Sequence, residues 1–82
     1  MHISSIVVHA DPPSLARVSA AIDALAGVQT HASTPEGKLV VTIEAPTEGE
    51  SIARMDEVHA LAGVLAVAMV FHQFESDPEL EL

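Results

Sequence analysis

The side chains most able to do chemistry are the histidines, His2, His9, His31, His59 and His72, and the serines at positions 4, 5, 14, 19, 33, 51 and 76. Histidine ligates transition metals and moves protons near neutrality, but a metal site needs ligands converging from fixed spacings, such as HxxxH on a helix or HxH on a strand. No pair of these histidines stands at either spacing. The serines lack the GxSxG context of a nucleophile elbow. The glycines (Gly27, Gly37, Gly49, Gly63) are scattered, so no phosphate-cradling loop exists. The expectation is a protein that binds rather than catalyses, with no metal and no cofactor.

Composition narrows the partners. Arg17, Lys38 and Arg54 are the only basic residues besides histidine, against 12 Asp and Glu, for a formal net charge of -9. Nucleic acid and anionic membrane both require neutralisation of negative charge, so neither suits this surface, whereas a basic peptide would be attracted. Without cysteine there is no disulfide, zinc–thiolate or CxxC site, in keeping with a reducing compartment. Met1 leads straight into an apolar run with no basic n-region or cleavage pattern, and no run is long enough to span a bilayer. A cytoplasmic domain without membrane insertion is expected. At 82 residues it buries only roughly 60–65% of what its unfolded chain exposes, which disfavours a deep catalytic cavity.

The elements that must position these residues are marked by a duplication. Ala24-Leu25-Ala26-Gly27-Val28 recurs as Ala60-Leu61-Ala62-Gly63-Val64, each copy closing a helical stretch and opening a strand. Gly27 and Gly63 fall where a residue just past a helix end takes positive φ. Ile3–Ala10 reads as a first strand. Asp11 and Pro12 start a helix to about Ala26 whose inner face is Leu15, Val18, Ile22 and Leu25. Val28–Ala32 and Lys38–Ala45 form a hairpin across the turn Thr34-Pro35-Glu36-Gly37. Pro46 ends the third strand, and a second helix, with Ile52, Met55, Val58 or His59, and Ala62 inward, leads to a fourth strand over Val64–Phe74. The predicted fold is α+β, a ferredoxin-like βαββαβ single domain over residues 1–75 with strand order 4-1-3-2 and both helices on one face. An acidic, disordered tail is expected over 76–82.

Such a two-layer fold leaves one sheet face uncovered, and the period-two rule assigns its residues. With Ile6, Val8, Leu39, Val41 and Ile43 facing the helices, Ser5, Val7, His9, Val40, Thr42 and Glu44 face away. In strand four the inward set is Val67, Met69 and Phe71, leaving Ala66, Ala68, Val70 and His72 outward. His9 and His72 then lie at opposite ends of antiparallel strands, and only His2 and His72 can approach one another. The open face has a small apolar centre and a polar surround, which equally suits a second apolar segment, a dimer partner or the tail. RNA-recognition modules of this topology need stacking aromatics where Val7, Val40 and Thr42 stand. Heavy-metal carriers need thiolates where Asp11-Pro12-Pro13 stands. Both are excluded.

The stretch Gly63–Glu75 (GVLAVAMVFHQFE) resembles the closing segment of the NapD family, assembly chaperones of the periplasmic nitrate reductase. Ser5–Ala10 is similar to that family's first strand and Gly37–Glu44 to its third. Ser4 replaces a frequent cysteine and Phe71 a usual tyrosine, with Phe71 expected to face the helices. The resemblance implies a cytoplasmic chaperone that binds the twin-arginine signal peptide of the nitrate reductase catalytic subunit, as a helix on the open sheet face, and withholds export until the molybdenum cofactor is loaded. The peptide-binding residues carried over are Ser5, Val7, His9, Val40, Thr42, Glu44, Ala66, Ala68, Val70 and His72, with Glu75 as a further carboxylate for guanidinium. The alternatives are a small-molecule, amino-acid-sensing regulatory domain and a weak, sheet-packed homodimer.

Overall fold

Alternating apolar residues build the sheet, and helically spaced ones build its cover. The computed structural model describes residues 1–74. It contains β1 (His2–Ala10), a 3₁₀ turn (Pro12–Ser14) running into α1 (Leu15–Asp23), β2 (Val28–Ser33), β3 (Lys38–Ala45), α2 (Glu48–His59) and β4 (Val64–Phe74). The expectations for Glu75 and for the tail over 76–82 lie outside the described residues. The sheet is antiparallel with strand order β2-β3-β1-β4, the ferredoxin-like arrangement expected. Ile6, Val8, Leu39, Val41 and Ile43 from the sheet pack with Val18 and Ile22 of α1 and Val58 of α2, all essentially without solvent contact.

The duplicated pentapeptide makes the same structure twice. In the first copy Ala24 N–H donates to Ala20, Leu25 to Ile22 and Val28 to Leu25; in the second Ala60 donates to Asp56, Leu61 to Val58 and Val64 to Leu61. Each helix therefore ends at the residue before the repeat, at Asp23 and at His59, earlier than the apolar periodicity predicts. The repeat is a tight turn, with Leu25 and Leu61 folded back onto the core as its apolar plugs. Gly27 and Gly63 have φ of +75° and +93°, the left-handed conformation predicted for them.

Two details of the helices differ from expectation. Asp11 makes no side-chain cap, and the chain enters α1 through the 3₁₀ turn instead. The inner stripe of α2 is Ser51, Met55 and Val58, while Ile52 is 51% exposed. Serine at a core position is tolerated because its hydroxyl meets that of Ser4, also fully buried, at 3.2 Å. The start of α2 is fixed by Thr47, whose hydroxyl accepts from the Glu50 N–H at 3.1 Å, with Glu48 and Glu50 favourably placed in the first turn. Thr47→Ala is expected to cost about 1 kcal/mol. A fall in the urea midpoint with an unchanged slope would report that loss.

Candidate functional site

The face of the sheet turned away from the helices is the candidate site, and strand register builds it row by row. Directly paired residues share a face, so each transverse row can be read from the pairing. One end row is Lys38, His9 and Ala66. The next is Ala32, Val40, Val7 and Ala68, followed by Gln29, Thr42, Ser5 and Phe71. The other end row is Glu44, Ile3 and Gln73. The second row is a continuous band of short aliphatic side chains across all strands, with Val40 at 42% exposure. Polar groups surround it. His31, the residue that the β2 to β3 register skips, donates or accepts at 2.6 Å with the Thr42 hydroxyl and so fixes the β2 border of the face.

Most predicted site residues fall on this face: Ser5, Val7, His9, Val40, Thr42, Glu44, Ala66 and Ala68. His72 does not. The pairing of β1 with β4 shifts between Ser5 and Ile6, so that Phe71 stands opposite Ser5 and Met69 opposite Ile6, with Val70 as the extra residue. A bulge of one residue reverses the side-chain parity beyond it. Phe71, expected against the helices, is therefore on the open face and 53% exposed. His72, expected outward, pairs with buried Ser4 and points to the helix side, where its Nδ1 lies 2.8 Å from the Ser4 hydroxyl. Val70 is 61% exposed as the bulged residue itself.

The reversal brings a polar partner to a buried polar group. Ser4 occupies an inward position of β1, and a buried hydroxyl needs partners. It finds them in Ser51 and His72, and the second nitrogen of His72 lies 3.2 Å from His2 Nδ1. The predicted approach of His2 to His72 thus occurs, on the helix side. Beside it lies a cavity of about 260 Å³ between α2 and β4, lined by Glu48, Ser51, Ile52, Met55, Met69 and His72. Met69 is inward, as expected, but only half covered, since it borders this cavity between α2 and β4. The residue that sequence reasoning missed is Phe71. The signal available for it was Ser4, a polar residue on an inward parity that needs polar partners, one of which is His72 of β4.

Chemically the face carries groups suited to binding. Its apolar band can take an apolar segment, Glu44 can take a cation, and Lys38 with His9 stands at the opposite end. The Glu44 carboxylate makes no ion pair among the described residues, whose one salt bridge is Arg54 to Glu57 at 2.7 Å. Among the same residues no group of three or more His, Asp or Glu converges as a metal site, and no helix is long and apolar enough to cross a membrane.

Comparisons with known proteins agree with one another. A family model described as NapD protein matches residues 1–76. The chain is 33% identical over 78 residues to the Chaperone NapD of Escherichia coli (strain K12), covering 94% of this chain and 90% of that one. It matches the Chaperone NapD of Shigella flexneri to the same extent. The solution structure of the E. coli Tat proofreading chaperone protein NapD superposes with a TM-score of 0.81 at 34% identity, covering 89% of this chain and 78% of that one. A transcriptional regulatory protein of the AsnC family from Pyrococcus furiosus shares the fold, with a TM-score of 0.73 at 18% identity over 94% of this chain and 53% of that one.

Proposed function

The chain belongs to the NapD family of chaperones, and from that premise we propose that it binds the twin-arginine signal peptide of a periplasmic nitrate reductase catalytic subunit in the cytoplasm, without catalysis, and holds back export until the cofactor is inserted. The E. coli relative is a Tat proofreading chaperone, which supports a signal peptide as the partner. The observation that carries the reading is the uncovered apolar band of Val40, Val7 and Ala68 on an acidic protein.

A signal peptide joins a cationic segment to an apolar one, and the face offers a complement to each. Three inter-strand spacings of about 4.8 Å make it roughly 14 Å wide, and an α-helix with side chains is about 10–12 Å across. One helix fits. Short side chains at Val7, Ala66 and Ala68 let that helix approach closely, with Ser5 and Thr42 as hydrogen-bonding groups beside the band. Phe71 replaces His72 in the proposed contact set, adding an aromatic flank on β4.

Calorimetric titration of the full chain with a twin-arginine signal peptide should give saturable binding. Changing both arginines to alanine should weaken it measurably, and more at low salt than at high. Equal binding of the two peptides, or none of either, would defeat the proposal.

A further inference from the structure

The open face is electrically polar along its strands. Glu44 stands in one end row, with Ile3 and Gln73, and Lys38 stands in the other, beside His9. From Lys38 to Glu44 the strand advances about 20 Å at about 3.3 Å per residue, the length of a helix of roughly thirteen residues. A bound helix of that length has both ends over charged or titratable side chains. We infer that the signal peptide lies along the strands in one direction, with its arginines and helix N-terminus over the Glu44 end and its apolar segment running across Val7, Val40 and Ala68 toward Lys38. This rests on the reading of the sheet face as a signal-peptide site.

Two independent electrostatic effects favour the same direction. The arginine side chains precede the apolar segment in such peptides, so only this orientation puts guanidinium beside the Glu44 carboxylate and keeps it away from Lys38. The helix backbone adds to this. Its N-terminus carries partial positive charge and its C-terminus partial negative charge, so Glu44 complements the first turn and Lys38 the last. In the reverse direction both the side chains and the dipole meet like charge. Phe71 lies one row from Glu44, on the same half of the face, where its ring can cover the arginine stems.

Paramagnetic broadening tests the direction. A nitroxide placed on the peptide beside its arginines should broaden the amides of Ile3, Glu44 and Gln73 in the isotope-labelled full chain and spare Lys38 and Ala66. A nitroxide at the end of the apolar segment should do the reverse. In parallel, Glu44→Lys should lower the affinity for the twin-arginine peptide roughly tenfold at low salt and change that of the dialanine peptide far less. The opposite broadening pattern, or equal losses with both peptides, overturns the orientation while leaving the site standing. Saturable binding that broadens no open-face amide from either label overturns the site itself.

Discussion

Ala68→Glu should lower the affinity for a twin-arginine signal peptide by at least about a hundredfold while the domain stays folded. Ala68 stands opposite Val7 in the apolar row and is exposed in the free protein, so a carboxylate there is well solvated until a peptide arrives. Binding would then strip its water beneath an apolar helix with no partner at hand. An uncompensated charge buried in this way costs on the order of 3 kcal/mol, which is the hundredfold. The free domain should melt within about 4 °C of the parent, since exposed substitutions change stability by about 0.5 kcal/mol. Calorimetry and circular dichroism on one sample check both parts. A variant that binds normally, or one that unfolds, would refute the placement of Ala68 at the centre of the binding surface.

Gly27→Ala should cost the domain much of its stability. The residue sits at φ +75°, which costs an L side chain about 1–2 kcal/mol. An added Cβ would also collide with the main-chain carbonyl oxygen of Glu44. That carbonyl cannot retreat freely, because the adjoining Glu44 N–H donates to Gly27 at 2.8 Å. Together these amount to about 3 kcal/mol, and a domain of this size loses roughly 12–24 °C in melting temperature for such a change. Differential scanning calorimetry reads it directly. A shift below a few degrees would show that the turn can rearrange without straining β3.

These cases also show what the amino-acid sequence displays and what it hides. The pentapeptide repeat announces two helix-to-strand turns, and the contrast of Leu39, Val41 and Ile43 with Val40, Thr42 and Glu44 fixes the facing of β3. In β4 that contrast is missing. Residues 65–71 are all apolar, so no polar residue marks which parity faces water, and nothing in the run reveals the skipped Val70. What accompanies the reversed parity is a hydrogen bond, from a buried serine in β1 to His72 far along the chain. The helix ends were misjudged for a related reason, since alanine and leucine suit a last helical turn as well as a tight bend.

The interruption at Val70 has a companion at Leu65, where the β1 to β4 register shifts again. β4 is the longest strand, largely aliphatic, and forms a border of the sheet. A straight border strand of that composition offers unpaired backbone groups to any extended chain, the usual starting point for aggregation. Two offsets break it into short lengths, 66–69 and 71–74, and add local twist that a flat neighbour cannot follow. The same irregularity that hands an aromatic ring to the open face also makes this border a poorer template for edge-to-edge pairing with a second copy.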